Sequence, residues 1–343
     1  MSGKKTSLRI IEKGIIYDKG NALIAGVCRG NEGDLIVAFN TGGDMSPGQR
    51  VVVIRSHDGG RTWGEPEVEF STVFQRGGVE VGCSLSRVSS GRLLLPYADG
   101  FYLNLGERQF SELFKTNELE TSALLFCPYS DDNGRTWLNA KAQRYKGLQA
   151  IPFGKVLELS GRVLVMPIYG EHDRRGVTRP AVLRSTDGGL TWGGYRPIAD
   201  HGNETAILLL PDGRLLALIR GYTSDLGDTE YPLYTTYSED GGDTWASAQQ
   251  TTMQGTSPAL HLAPNGKVLA GYRSILEGGR CHVSSSDNGG ASWTFELELQ
   301  VPKGTWQSGG YPVFETLPDG TFFVSFHNSA PAWHMAYNIL AAD

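Results

Sequence analysis

Short apolar runs separated by glycine turns recur along the whole chain. At six places an apolar run directly follows a turn glycine: Gly33, Gly91, Gly161, Gly213, Gly266 and Gly320. Another apolar run precedes each glycine, as residues 205–210 precede Gly213. Two apolar runs joined by a tight turn predict a β-hairpin. No stretch of useful length has the periodicity of a helix, so the pattern predicts an all-β chain.

A second repeated pattern has the form Ser-x-Asp-x-Gly-x-Thr-Trp, and we call it the box. Four copies match it in full, and they begin at Ser56, Ser130, Ser185 and Ser238. A looser copy, one residue longer, runs from Ser285 through Asp287 to Trp293. In such a turn Asp folds its carboxylate onto backbone amides, Gly supplies a positive φ, and Trp packs the hairpin against its neighbour.

The box aspartates have two interpretations. They are catalytic acids or metal ligands, or they are structural residues that stabilise a hairpin. Five equivalent positions spread along one chain cannot converge on a single site. The repeat therefore favours the structural interpretation.

The two patterns together define a repeating unit. In the first five units a third apolar run leads into the box and out into a fourth strand. Four strands in each of six units predict a six-bladed β-propeller with four-stranded antiparallel blades, in one domain over residues 1–343. The sixth unit has no box, and the chain ends after its third strand. We expect residues 8–17 to supply the missing strand and close the ring, because closure removes an exposed edge.

Composition and charge exclude several classes of function. The formal net charge of −6 gives no electrostatic support for nucleic-acid binding. No apolar run approaches the length of about 18 residues that a membrane span needs, and the N-terminus lacks the apolar segment of a signal peptide. As written, we expect a soluble cytoplasmic protein, or a secreted or periplasmic one if a signal was removed.

The cysteines and histidines show no spacing typical of metal ligands. The sequence predicts buried free thiols rather than disulfides for Cys28, Cys83, Cys127 and Cys281. Five histidines fall in different units, where they are expected to be ordinary strand or loop residues: His172, His201, His282, His327 and His334.

The strand order separates the two ends of each unit. The glycine turns and the boxes share one end, so the three long insertions, at residues 99–122, 170–179 and 221–231, open at the other. Long loops at one end mark the expected binding face. Five polar residues lie at strand ends on that face: Asp44, Glu204, Arg220, Arg280 and Tyr311. Taken singly they are solvated loop charges, but together two carboxylates, two guanidinium groups and a phenol form a plausible glycosidase set.

At these residues the chain resembles the sialidase (neuraminidase) superfamily, whose Asp-box is the repeated turn. The segment with Glu204 and Arg220 is similar to that family's base and one arginine of its carboxylate-binding triad. The segment with Tyr311 is similar to the one carrying its tyrosine nucleophile. Asp44 resembles the acid/base aspartate, and Arg280 resembles a further triad arginine. The resemblance covers nearly the whole chain as architecture.

One position departs from the family. Its first blade usually opens with Arg-Ile-Pro, whereas residues 20–24 here read Gly-Asn-Ala-Leu-Ile. Arg29 is expected at the far end of that strand. The upper loops offer four alternatives among which the sequence does not choose: Arg50, Arg76, Arg174 and Arg175.

The resemblance implies retaining exo-hydrolysis of a terminal sialic-acid-like (2-ulosonic) or other acidic sugar. Tyr311 would be the nucleophile, Glu204 its base and Asp44 the acid/base, while Arg220 and Arg280 would bind the anionic group of a glycan. No metal or cofactor is required. Three alternatives stay open: hydrolysis of a different sugar, a polysaccharide lyase, and a non-catalytic glycan-binding propeller. The sequence does not define an oligomeric state.

Overall fold

The structure is a computed structural model that describes most of the chain. The described residues are 7–31, 33–42, 48–73, 77–82, 84–102, 121–138, 141–145, 150–171, 178–221, 231–276, 278–307 and 309–342. Within these ranges the only helical segment is a three-residue 3₁₀ turn, Ser160–Arg162, and no helix is long and apolar enough to cross a membrane.

Strands make up nearly all of the regular structure. The first five are β1 (Leu8–Tyr17), β2 (Ala22–Arg29), β3 (Leu35–Thr41), β4 (Arg50–Ser56) and β5 (Val68–Phe70). They are followed by β6 (Gly77–Glu80), β7 (Ser86–Arg87), β8 (Leu93–Leu94), β9 (Tyr97–Tyr102), β10 (Thr121–Phe126) and β11 (Tyr129–Ser130). Next come β12 (Ile151–Pro152), β13 (Leu157–Glu158), β14 (Leu164–Glu171), β15 (Thr178–Ser185) and β16 (Gly193–Pro197).

The second half of the chain continues the same alternation of strand and turn. Its strands begin with β17 (Thr205–Leu209), β18 (Leu215–Arg220), β19 (Pro232–Ser238), β20 (Gln249–Leu262), β21 (Val268–Ser274), β22 (Cys281–Ser286) and β23 (Thr294–Glu298). The last three are β24 (Gly310–Thr316), β25 (Phe322–Asn328) and β26 (His334–Ala342).

The strands pair in antiparallel sheets that follow the chain. One four-stranded sheet has the order β2-β3-β4-β5, and β6 to β11 form two three-stranded pieces. The strands β12 to β16 form the next sheet. A seven-stranded sheet then runs from β17 to β23, because the long strand β20 pairs with β19 on one side and β21 on the other. The predicted all-β fold of antiparallel sheets is confirmed. Sheet pairing alone does not divide the strands into six equal blades, so the blade count stays a prediction.

The last sheet joins the two ends of the chain. Its order is β1-β26-β25-β24, and β1 pairs with β26 from Leu8 opposite Ala342 to Tyr17 opposite Met335. The sequence prediction that residues 8–17 complete the final sheet is therefore confirmed.

The boxes close on themselves through side-chain hydrogen bonds. In the second box the amide and hydroxyl of Thr136 donate to Asp132 at 2.8 and 2.6 Å, and the hydroxyl of Ser130 donates at 2.8 Å. These donors lower the pKa of Asp132 to about 2. The other full boxes form the same bonds. The carboxylates are therefore occupied by their own turns, which confirms the structural interpretation.

The fifth box differs from the sequence prediction. The hydroxyl of Ser286, not Ser285, donates to Asn288 at 2.8 Å, and the amide of Ser292 donates to Asn288 at 2.9 Å. Asn288 thus takes the place of the aspartate in a turn of ordinary length. Asp287 instead forms an ion pair with Lys267 at 3.2 Å. The prediction of a longer copy built on Asp287 was wrong, because the turn needs an acceptor oxygen and an amide supplies one.

Box tryptophans attach one sheet to the next. Nε1 of Trp63 donates to the carbonyl of Gly60 at 2.9 Å, and its ring lies 5.9 Å from that of Phe323 in β25. Gly60 has a φ of 93°, and a Cβ added there would lie 2.4 Å from the Phe323 ring. Only glycine permits this contact between neighbouring sheets.

The predicted free thiols are confirmed where the structure describes them. Cys28, Cys127 and Cys281 are buried and unpaired by disulfides, and Cys83 lies outside the described residues. Burial raises the pKa of Cys28 to about 12, so this thiol stays protonated and unreactive near neutral pH.

Candidate active site

Two strands far apart in sequence bring Glu204 and Tyr311 together. Glu204 directly precedes β17, and Tyr311 is the second residue of β24. Both lie at the upper end of the strands, which we define as the end opposite the glycine turns and boxes. The hydroxyl of Tyr311 donates to Oε1 of Glu204 at 2.8 Å. This distance allows a proton to pass between the phenol and the carboxylate.

The second oxygen of Glu204 is held by two donors. The amide of Ser257 donates to Oε2 at 2.8 Å, and Nη1 of Arg220 lies 3.0 Å from the same oxygen. Arg220 ends β18, the strand paired with β17, so it reaches Glu204 from the adjacent strand. Glu204 is only 3 % exposed. Its two donors hold Oε2 in place and leave Oε1 facing Tyr311.

Three inner strands carry a residue with positive φ near their upper ends. Ile24 in β2, Ser257 in β20 and Tyr311 in β24 have φ values of 49°, 55° and 56°. The register shifts at each of them, which marks a β-bulge. A non-glycine residue in this conformation costs about 1–3 kcal/mol and persists only where its surroundings impose it. The bulges turn backbone amides and the Tyr311 side chain out of the regular sheet pattern.

Aromatic rings surround the phenol of Tyr311. The ring of His327 is stacked on it with centroids 5.5 Å apart and an interplanar angle of 26°. The ring of Trp333 packs against His327 with centroids 5.2 Å apart, and the ring of Phe153 lies 6.1 Å from that of Tyr311. Burial, together with the nearby Arg273 and His334, lowers the pKa of His327 to about 3. The imidazole is therefore neutral at any pH at which the fold is expected to work.

The other predicted site residues lie elsewhere. Asp44 falls outside the described residues. Nη1 of Arg280 lies 3.0 and 3.1 Å from the two carboxylate oxygens of Glu298, which ends β23, the edge strand of its sheet. This exposed pair directs Arg280 away from Glu204 and Tyr311.

The described candidates for the missing first-blade arginine lie away from the pair as well. Arg29 lies at the far end of β2, as expected, and Arg50 forms an exposed ion pair with Glu69 at 3.0 Å. Three candidates lie outside the described residues: Arg76, Arg174 and Arg175. In β2 itself the corresponding positions, Leu23 and Ile24, are buried and apolar.

Arg273 is the residue that the sequence prediction missed. It lies near the end of β21, and a Cβ added to Gly310, beside Tyr311, would lie 3.3 Å from Cδ of Arg273. The spacing within the repeat indicates this arginine. Arg220 and Arg273 each follow a turn glycine, Gly213 and Gly266, by seven residues. Alignment of the two hairpins therefore pairs the two arginines, whereas Arg280 belongs to the next strand.

The opposite end of the inner strands holds a separate polar cavity of about 490 Å³. Across it, Nζ of Lys155 pairs with Oε2 of Glu315 in β24 at 2.7 Å. Phe153, two residues before Lys155, is fully buried, and its ring centroid lies 6.1 Å from that of Tyr311. A ring and an ion pair thus lie between the Glu204–Tyr311 pair and the lower end of the strands. Within the described ranges no cluster of three or more His, Cys, Asp or Glu side chains is placed to hold a metal.

Comparisons with known proteins agree with this fold. The BNR repeat-like domain family matches residues 116–262. A protein of unknown function from Dyadobacter fermentans DSM 18053 superposes with a TM-score of 0.79 at 23% identity, covering 98% of this chain and 100% of that one. Among curated proteins, none matches the chain.

Two solved enzymes are also similar in structure. Trypanosoma rangeli sialidase in complex with the inhibitor DANA gives a TM-score of 0.68 at 16% identity, covering 96% of this chain and 58% of that one. Penicillium chrysogenum α-L-arabinanase complexed with arabinobiose gives 0.65 at 15% identity, covering 98% and 96%. At these identities the likeness establishes the fold. The chain therefore has the β-propeller fold of these structures, and residues 116–262 of it match the BNR repeat-like domain family.

Proposed function

We propose that this chain is a retaining exo-glycosidase in which Tyr311 is the nucleophile and Glu204 its base. The observation that carries the proposal is the hydrogen bond of 2.8 Å from the Tyr311 hydroxyl to Oε1 of Glu204. A phenol is a weak nucleophile at neutral pH, and an adjacent carboxylate activates it by accepting its proton. The anchoring of Oε2 by Ser257 and Arg220 supports this role, since it holds Glu204 in place during the transfer.

The reaction would proceed in two displacements. Oη of Tyr311 attacks the anomeric carbon and its proton moves to Oε1 of Glu204, while Asp44 protonates the leaving glycosidic oxygen. Asp44 then takes a proton from water, the water oxygen attacks the anomeric carbon, and the tyrosine oxygen leaves and regains its proton from Glu204. Two inversions give overall retention. Asp44 keeps this role from the sequence, since the structure does not describe it.

We propose a terminal sugar with a carboxylate at its anomeric carbon as the substrate. A neutral phenol suits such a sugar, because an anionic nucleophile would be repelled by the substrate's own charge. Arg220 and Arg273 lie at equivalent strand ends, and in this proposal they bind the carboxylate, Arg220 while it also pairs with Glu204 and Arg273 in place of Arg280. Arginine suits a carboxylate because its planar group donates two parallel hydrogen bonds.

A second candidate is hydrolysis of a sugar without that carboxylate, such as an arabinofuranoside. The buried apolar residues Leu23 and Ile24 favour it, since they leave the upper end of the strand that opens the first blade without a cation. Similar structures with bound arabinobiose show that this fold accepts such sugars in other proteins.

The test is turnover of an aryl α-sialoside and of a panel of other aryl glycosides, including an α-L-arabinofuranoside, by the wild type and Tyr311→Phe. We expect sialoside cleavage in the wild type and a loss of at least about 10³-fold in kcat in the variant, the scale for removal of a catalytic group. Cleavage of only the arabinofuranoside would select the second candidate.

Tyr337→Phe is the matched control. Its hydroxyl also donates to a carboxylate, Glu12, at 3.2 Å, but the pair joins β26 to β1. This variant should keep full activity. Full activity of Tyr311→Phe, or an inert wild type on every glycoside, would refute the proposed mechanism.

A further inference from the structure

In two of the three strained bulges a backbone amide donates a hydrogen bond, in one case to Glu204 and in the other to His327. The amide of Ser257 donates to Oε2 of Glu204 at 2.8 Å. The amide of Ile24 donates to Nδ1 of His327 at 3.3 Å. The third bulge carries Tyr311 itself. The positive φ of an isoleucine is unusual, because a β-branched side chain disfavours that conformation. The surroundings of Ile24 must therefore impose it.

His327 connects the Ile24 amide to the phenol. Because its Nδ1 accepts a hydrogen bond from Ile24, the imidazole proton resides on Nε2 and the ring orientation is fixed. The same ring is stacked on Tyr311, with Trp333 against it as well. His327 is 5 % exposed. Its position in β25, opposite Gly310 of β24, places it directly beside the bulge that carries the phenol.

His327 does not act by changing its charge. Its pKa of about 3 results from burial and from the positive charge of nearby Arg273, with His334 adding to the effect. A proton on the ring would also remove the acceptor that the Ile24 amide uses. The imidazole therefore presents the same neutral surface to Tyr311 across the pH range of the fold.

We propose that His327 is a positioning residue for Tyr311, held in orientation by the strained amide of Ile24. This device is the counterpart of the Ser257 amide on Glu204, so that each member of the reacting pair is oriented by one bulge. The inference rests on the proposed roles of Tyr311 and Glu204. It assigns to Ile24 and His327 a function that neither residue type indicates in the sequence.

Two substitutions separate the two contacts of His327. His327→Phe keeps an aromatic ring beside Tyr311 and removes the acceptor for the Ile24 amide. His327→Asn keeps an acceptor oxygen close to the place of Nδ1 and removes the ring. The Ile24 amide orients the imidazole and the imidazole ring positions Tyr311, so loss of either contact should misplace the phenol. Each variant should lower kcat by about tenfold or more with KM changed less than threefold, because misplacement of a reacting group by about 1 Å can cost about 10²-fold.

His282 provides the matched control. It is a buried histidine of β22 whose ring packs against Tyr272 and Phe295 at 5.7 and 5.1 Å. His282→Phe and His282→Asn should change stability to a similar extent and leave kcat unchanged. The pH profile of the His327 variants should keep the acid limb of the wild type, since a neutral imidazole contributes no titration there.

Crystal structures of the two His327 variants give a readout that does not depend on turnover. We expect the distance from the Tyr311 hydroxyl to Oε1 of Glu204 to lengthen beyond 2.8 Å in both. An unchanged distance with unchanged kcat in either variant overturns the positioning role. A lengthened distance combined with full activity of Tyr311→Phe would instead retain the positioning role and refute the proposed nucleophile.

Discussion

Arg273 and Arg280 lie on either side of one strand connection, yet their surroundings differ sharply. Arg273 lies against Gly310, next to the phenol, whereas Arg280 is 45 % exposed and paired with Glu298. An exposed ion pair contributes little to stability or binding. The side chain beside the reacting pair is therefore the one expected to determine how strongly an anionic sugar binds.

Arg273→Met should raise the KM for an anionic substrate by about tenfold or more, because a charge-assisted hydrogen bond contributes about 1.5–3 kcal/mol. Steady-state kinetics on the best substrate of the aryl glycoside panel measures this. Arg280→Met is the matched control and should change KM less than twofold. Equal effects of the two substitutions would contradict the placement of Arg273 at the site.

Some residues of the candidate site could be predicted from the sequence and others could not. Glu204, Arg220 and Tyr311 are identified from the repeat and from the family resemblance, and the structure brings these three together. The bulge at Ile24 has no such signal. Nothing in an apolar run indicates that one isoleucine adopts a positive φ, and the residue to which its amide donates, His327, is 303 residues away in the chain.

At the scale of the turn, the five boxes form an internal comparison. Four hold an aspartate and the fifth holds Asn288, whose amide nitrogen donates to the hydroxyl of Ser292 at 2.9 Å. In the second box the direction is reversed, and the hydroxyl of Thr136 donates to Asp132. The turn thus forms with either residue, and the difference is the charge.

The charge makes one contribution to stability depend on pH. The donors from Thr136 and Ser130 lower the pKa of Asp132 to about 2, below its ordinary value of about 3.9. Ionised Asp132 therefore stabilises the fold fully above the ordinary value, and this stabilisation is lost as the pH falls through about 2. We expect Asp132→Asn to lower the free energy of unfolding at pH 6 and to have much less effect near pH 2, as measured by denaturant titration at both values.

Asn288→Asp is the reverse substitution. It follows Asp287 as Asp132 follows Asp131, so the two boxes also match in their neighbouring charge. It should stabilise the protein at pH 6 and have little effect near pH 2. If either substitution had equal effects at both pH values, the hydrogen-bonded carboxylate would not be the source of the dependence.

At the scale of the element, the repeating pattern predicts strands and their antiparallel pairing well, because a tight turn at a glycine fixes the pairing of the two strands that it joins. Division into equal blades is less predictable. The strand β20 has a β-bulge at Ser257 and continues from one sheet into the next, and such a shared strand leaves no mark in the apolar pattern.

For the whole molecule, the pairing of β1 with β26 determines whether the sheet series ends in an open edge. Its register extends from Leu8 to Tyr17 and shifts at two places, between Ile10 and Glu12 and between Ile15 and Tyr17. Without β1, one side of β26 would present unpaired amides and carbonyls, which recruit strands from other molecules.

Removal of residues 1–17 should lower the midpoint of thermal unfolding by about 10 °C or more, since loss of a strand costs several kcal/mol, and should cause association through β26. Thermal unfolding monitored together with light scattering tests both effects. Removal of residues 2–6 alone keeps every pair of β1 and should have neither effect. A monomeric, equally stable shortened chain would contradict the closing role of β1.

The packing between Phe153 and Tyr311, with the ion pair of Lys155 and Glu315 below it, has a kinetic consequence. Under the proposed chemistry, the departing alcohol and the incoming water therefore both approach the anomeric carbon from the upper end. An alcohol at that end would compete with water for the glycosylated tyrosine, so the proposed chemistry predicts transfer of the sugar to an added alcohol as well as hydrolysis.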